Sequence, residues 1–515
     1  MRIAPLVAGG CSLLLAGTAS AEDRPTEGGL WSFAPEDVVE TWDEPTGTVR
    51  VHFSVEGPNV TRLENLDDDG APDFAQDVAD ATAEAIVLYE SLGFRRPTPE
   101  SAIETELGGS PAYDVYLVDF GGAADGRFGT DGCGNAGCAG FYVVENDFTG
   151  YGYATLEEAV DTVSSHEAFH GVQAAYNFLP TWVSEGTATW AERAFDPNSA
   201  DFVRLANGLL IDTGRPVYQP PGGPVPAFAY GTSLWFDYLT ERHDVGLLVD
   251  FFNALDDDAN AAAPQLLFEP LLNERSDSLA DAWPTFARYN LATGRRAGAA
   301  QSHPYAGALV GIEADASGEV IAVDARFYPL AANYYNVLHA GGDLWFVNDD
   351  ALPNVAFSLH PVADFDDDGA VGDAIATWDA VTPGAQVVFE DLPEGGYWVV
   401  GAHAAVADGP DRANICVASE DDVDGACPDV MAGSTGAADG STTADGDSST
   451  TDDPDDGVDP GTTSTGADAE DESSGGEDPG QDDAGGCSCR SSSAPSPAAL
   501  GVFLVFGLAA RRRRS

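Results

Sequence analysis

The segment Ser165-His166-Glu167-Ala168-Phe169-His170 sets two imidazoles four residues apart with a carboxylate between them. On a helix that spacing is about 40° of azimuth and one turn of rise, so both rings can reach one metal ion from the same face. Glu167 then stands where it can hold a water at that metal, the arrangement used for metal-assisted hydrolysis. A zinc ion with two imidazoles and an open water position requires a third protein ligand. Two downstream acids offer one, Glu185 and Glu192, within Thr181-Trp182-Val183-Ser184-Glu185-Gly186-Thr187-Ala188-Thr189-Trp190-Ala191-Glu192. Seven residues apart on a helix, they differ by about 20° in azimuth but by two turns in height, so only one can serve. Glu185 stands nearer the Pro180 turn, and Gly186 leaves room for close helix approach. Glu192 is then left to contact a ligand from behind or to pair with a cation such as Arg193.

These residues need a helix, a turn and a second helix. Leu156, Ala159, Val163 and Val172 recur with few breakers, which predicts a helix through the motif between Glu157 and Phe178. Pro180 ends it, and the chain after Pro180 can restart as a helix that carries a carboxylate back over the first. Ahead of the motif, Gly140-Phe141-Tyr142-Val143-Val144 reads as a strand. Residues 22–300 therefore read as a mixed α+β domain. Beyond them, short alternating runs such as Val320 to Val323, Leu344 to Val347 and Tyr397 to Val400 predict an all-β, sandwich-like domain over 305–428.

His166-Glu167-x-x-His170 followed by Trp182-Val183-Ser184-Glu185-Gly186-Thr187-Ala188 resembles the gluzincin metallopeptidases, which pair His-Glu-x-x-His with a Trp-x-x-Glu-Gly-x-Ala helix. The resemblance implies a zincin-like fold, His166, His170 and Glu185 as zinc ligands, Glu167 as general base and a peptide substrate. Fourteen residues separate His170 from Glu185, fewer than in the aminopeptidase branch, so the likeness is to the secreted metalloproteases of myxobacteria and runs from about Val49 to Tyr305. Gluzincins often use a downstream Tyr to stabilise the developing oxyanion, which makes Tyr230 a candidate; core packing would explain the same residue. His243, beside Asp244, reads as a surface residue at a helix end.

A second chemical signal lies at Asn65-Leu66-Asp67-Asp68-Asp69-Gly70-Ala71-Pro72-Asp73. Asn65, Asp67, Asp69 and Asp73 take positions one, three, five and nine of a calcium loop, with Gly70 at six. Position twelve is Gln76 where a bidentate acid is expected, and an acidic turn capping a helix from Asp73 to Leu92 is the competing explanation. Asp364, Asp366 and Asp368 with Gly369 repeat part of the pattern.

The chain has 515 residues, 43% of them apolar, which is ample for sizeable cores. Its 22 Lys and Arg against 86 Asp and Glu give a net charge of −64, which argues against nucleic acid as a partner. About a quarter of that excess, 17 acids with no Lys or Arg, lies in residues 429–485, a Gly, Ser, Thr, Ala and acid-rich linker that cannot build a core. Arg2, the apolar run Ile3 to Ala16 and Ala19-Ser20-Ala21 read as a signal peptide over 1–21, implying export. Residues 486–515 hold Cys487 and Cys489, a short apolar run and Arg511 to Arg514. They resemble the C-terminal sorting tag of myxobacterial surface proteins, which implies sorting machinery as a partner and a cell-surface or released product. Cys133 with Cys138, and Cys416 with Cys427, are expected as local disulfides. The sequence thus reads as an exported zinc metallopeptidase; a catalytically inactive, calcium-stiffened surface adhesion or scaffold protein on the same fold is the alternative.

Overall fold

The computed structural model describes residues 21–427 apart from 30, 67, 69, 104–106, 135–136, 224, 299, 364–368 and 407–408. The signal segment 1–20, Asp67 and Asp69 of the first acidic loop, Asp364, Asp366 and Asp368 of the second, the acidic linker and the Cys487 tail lie outside the described residues. The described chain is a mixed α and β structure with three sheets.

The first sheet is built from β1 (Val39–Asp43), β2 (Val49–Ser54), β3 (Tyr113–Val118), β4 (Gly126–Gly134) and β5 (Gly137–Glu145), in the order β1-β2-β3-β5-β4. The β2/β3 and β3/β5 pairs are parallel, whereas β1 and the edge strand β4 run antiparallel to their neighbours. The parallel connections are supplied by α1 (Asp73–Leu92), between β2 and β3, and by the β4 excursion between β3 and β5. Cys133 and Cys138 face each other across the β4/β5 hairpin and are disulfide-bonded.

One face of this sheet, through Val51, Phe53, Val115, Leu117, Tyr142 and Val144, packs on α1 and α2 (Leu156–Ala174). The opposite face carries Tyr116, Val118, Phe120, Phe141 and Val143, and it is covered by the N-terminal segment through Trp31 and Phe33. In the same layer Arg24 is buried among Asp114, Asp131 and Glu100.

The helical layer continues with α3 (Thr181–Phe195), α4 (Ala200–Leu210), α5 (Ala227–Gly231), α6 (Ser233–Arg242), α7 (Val245–Ala254), α8 (Asp258–Ala262), α9 (Phe268–Glu274) and α10 (Leu279–Leu291). Its interior is aromatic: Trp182 stacks on Phe236, and Trp235 touches Phe268, Trp283 and Phe286.

Two further sheets follow, from β6 (Ala316–Gly318), β7 (Ile321–Phe327), β8 (Ala331–His339), β9 (Gly342–Asn348), β10 (Val355–Pro361), β11 (Ala376–Asp379), β12 (Gln386–Leu392), β13 (Gly395–His403) and β14 (Asp411–Ser419). They are ordered β11-β10-β13-β8-β6 and β12-β9-β14-β7, and they share a core of Phe327, Phe346, Phe357, Val399 and Ile415. A short α11 (Glu420–Ala426) closes the described chain, with Cys427 bonded to Cys416 on β14. The outer face of β8 and β13 is not solvated. Tyr334, Trp398 and Val400 join the helical core, Trp283 Nε1 donates to the Ala331 carbonyl, and Tyr334 Oη donates to that of Ala287. Burial on both faces explains why Tyr397-Trp398-Val399-Val400 is continuously apolar rather than alternating.

Candidate functional site

Thr155 caps α2 by accepting the Glu158 N–H, and Glu157 and Glu158 place negative charge in the first turn. The helix then runs between α1, α3 and the sheet, so its motif turn is enclosed on every side: His166, Glu167 and His170 are all buried. Pro180 directly precedes α3, whose second turn brings Glu185, also fully buried, back over the two imidazoles. Glu185 Oε2 lies 3.4 Å from His166 Nε2 and 3.8 Å from His170 Nε2, and the candidate donor atoms of the three residues all fall within 4.8 Å of one another. The imidazoles meet edge to face with centroids 4.8 Å apart.

The other ring nitrogens are held from behind. His170 Nδ1 is 2.8 Å from Gln173 Oε1. The Gln173 amide group donates to the Ser184 carbonyl and to Thr187 Oγ1, so its oxygen is the atom turned to His170, and Nδ1 must carry the proton. His166 Nδ1 lies 2.7 Å from Glu192 Oε1. Glu192 therefore sits on the opposite flank of the His166 ring from Glu185. Burial pushes the His170 imidazole down to about 4, against the pull of Glu185, which keeps it neutral and its Nε2 lone pair available. Burial likewise pushes Glu192 up to about 8, opposed by its hydrogen bond with His166.

This donor set fits zinc. Bonds of about 2.0–2.2 Å give tetrahedral donor–donor edges of about 3.3–3.6 Å. The 3.4 Å separation lies in that span and the 3.8 Å one just beyond it, both longer than a good hydrogen bond. Imidazoles bonded through Nδ1 to a carboxylate and an amide oxygen also match the outer contacts that orient metal-ligating histidines.

Glu167 lies against the edge strand: a Cβ on Gly126 would stand 2.6 Å from Glu167 Oε1 and 2.7 Å from Val163. Only glycine lets β4 approach this closely. Tyr230, on α5, is buried with its ring 6.1 Å from that of His166. Gly186 does make room for a close neighbour, but that neighbour is Thr232 at the α5/α6 junction, whose Oγ1 would lie 2.0 Å from an added Cβ. His243 ends α6 and bonds Asp277 at 2.8 Å, away from the triad.

Of the calcium-loop residues, Asn65 Oδ1 accepts the Asp68 N–H and the Asp73 carboxylate accepts the Leu66 N–H, so both described members turn onto the loop's own backbone. They form a turn ahead of α1 and are not part of the histidine cluster.

The sequence did not point to Gln173, although its place three residues after His170 puts it on the same helix flank. It gave no sign of Asp125 or Tyr153. With Val163, Leu205, Asp201, Arg204, Glu192 and Tyr230, these two line a small crevice on one side of His166. Asp125 is buried, its Oδ2 accepts from Tyr153 Oη at 2.6 Å, and burial pushes its carboxyl up to about 6. Larger grooves, one beside Pro97 and Tyr113 and one between α10 and β11, contain none of the triad.

No protein-family model and no curated protein matches the chain. Among solved structures, the pre-peptidase C-terminal domain of a collagenase from Bacillus anthracis is 13% identical, over 21% of this chain and 93% of that one, with a TM-score of 0.15. A periplasmic inhibitor of g-type lysozyme from Aeromonas hydrophila, PliG, is also 13% identical, over 20% of this chain and 91% of its own, again at 0.15. At those scores neither likeness bears on the site.

Proposed function

We propose that the chain is an exported zinc metallopeptidase of gluzincin type. One observation carries this reading: His166 Nε2, His170 Nε2 and a Glu185 carboxylate oxygen converge at separations suited to zinc, while both Nδ1 atoms are already bonded to Glu192 and Gln173. Bound there, zinc would supply Lewis acidity toward a carbonyl and lower the pKa of water. Glu167 takes the proton from the attacking water and passes it to the leaving amine, the two halves of general acid–base catalysis. Tyr230, beside His166, is the group we assign to the carbonyl oxygen as it gains charge.

A peptide is the substrate class that suits the surroundings. β4 is a sheet edge, and its Gly126 brings the strand backbone against Glu167, so an extended chain added to that edge runs past the base. Export by the N-terminal segment and attachment through the Cys487 tail complete the proposal. The test is Glu167→Gln, which keeps the three ligands. Zinc content equal to the parent with proteolysis reduced by about 10²-fold or more supports the assignment, and unchanged proteolysis removes Glu167 as the base.

A further inference from the structure

We infer that the crevice beside His166 binds a primary ammonium group of the substrate, with Asp125 as its counter-charge and so as a specificity-determining residue. The inference rests on the metallopeptidase reading and adds to it the charge of what is cleaved. Asp125 is only 3% exposed, and while Oδ2 accepts from Tyr153, Oδ1 accepts no hydrogen bond among the described residues. Glu192 lines the same crevice; its Oε1 is held by His166, and its Oε2 likewise accepts none among the described residues. The arginine on the wall, Arg204, is paired with Asp201 at 2.6 Å. Asp125 Oδ1 is thus a buried carboxylate oxygen left without a donor among the described residues, and the arginine of this space is already held by Asp201. Leaving such an oxygen uncompensated is costly, and a cation with several donors relieves it.

The crevice has room for little more than a water-sized group, which favours a compact ammonium with three N–H donors over a broad guanidinium. Tyr153 and Tyr230 supply aromatic walls, to which a cation is attracted. Asp125 directly precedes Gly126, the residue packed on Glu167, so a group held by Asp125 is close to the scissile bond of a chain lying along β4. The ammonium can come from a free peptide N-terminus or from a lysine side chain.

Matched peptides separate these sources: one pair differs by N-terminal acetylation, another by lysine against norleucine next to the cleaved bond. We expect the parent to prefer the ammonium-bearing member of one pair by about 10- to 150-fold in kcat/KM, the scale of a charge-assisted hydrogen bond. Asp125→Asn, which preserves shape, should bring that preference close to unity. In a readout that needs no turnover, Glu167→Gln protein should bind L-leucinamide or N-acetyl-lysinamide in calorimetry, and adding Asp125→Asn should weaken that binding at least tenfold. Equal rates within both pairs, or a preference that survives Asp125→Asn, overturn the inference and leave the peptidase standing. Failure to cleave any of the peptides, with zinc bound, overturns the peptidase reading and this inference with it.

Discussion

Replacing Glu192 or Glu185 separates a carboxylate that orients an imidazole from one that holds the metal. The Glu192 contact is on His166 Nδ1 at 2.7 Å, and the Glu185 contact faces Nε2 of both histidines at 3.4 and 3.8 Å. Glu192→Ala deletes a buried acceptor, frees the ring to rotate and lets the proton leave Nδ1. Loss of such an outer contact costs about 10- to 100-fold in metal affinity, or about 1.4–2.7 kcal/mol. Glu192→Gln keeps an acceptor for Nδ1–H and should lose less than the alanine variant. Glu185→Ala removes one of three ligands outright and should leave no stoichiometric zinc. The assay is metal content after equilibration in zinc buffers of graded free concentration. Retention of zinc by Glu185→Ala, with loss in Glu192→Ala beyond the hundredfold range, would refute the register in which α3 returns over α2.

Four further outcomes follow from the structure. Gly126→Ala drives a Cβ to 2.6 Å from Glu167 Oε1, so turnover should fall while zinc content, a separate readout, stays near stoichiometric. Arg24→Leu leaves Asp114, Asp131 and Glu100 buried without their cation, and urea unfolding should show a loss of about 3–5 kcal/mol; a change below about 1 kcal/mol would contradict it. Burial pushes Glu145 up to about 7 and Asp161 up to about 6, so between the ordinary carboxylate range and those values the folded chain keeps protons that the unfolded chain has released. In chelator, the thermal midpoint should therefore fall as pH rises from about 6.5 to about 7.5, above the range in which the buried neutral His170, His303 and His360 add stability with rising pH, and a rise there would contradict this sign. Deleting residues Cys487 to Ser515 should release the exported chain into the medium, and an unchanged envelope-bound fraction would count against attachment through the tail.

Local patterns were legible because their causes are local. The apolar spacing around His166 marks the helix that is α2, although it stops at Ala174, short of Phe178 and Pro180; Pro180 directly precedes α3, and α1 spans Asp73 to Leu92 as read, but with Pro72 at its N-cap and no side-chain cap from the acidic turn. Leu344 to Val347 and Tyr397 to Val400 fall inside β9 and β13. Pairing could not be read in the same way. That β5 inserts between β3 and β4, or that β13 is buried on one face by α10 and on the other by the β12-β9-β14-β7 sheet, depends on contacts far apart in sequence. At the site, the triad was visible from motif spacing, and Gln173 was within reach of the same helical argument. Asp125 was not, because its value comes from standing across a crevice from Glu192, 67 positions later. Gly126 was one more glycine until β4 lay against Glu167.

His166, His170 and Glu185 are proposed to hold a zinc ion that hydrolysis requires. The most direct test is metal analysis of the purified protein, joined to cleavage of an unstructured protein substrate before chelation, after it and after zinc is restored. One zinc per chain, loss of cleavage with the metal, and recovery of both on adding zinc are the expected results. Cleavage that persists in the fully zinc-free protein, or a chain that binds zinc stoichiometrically through these residues yet cleaves nothing, would contradict the proposal.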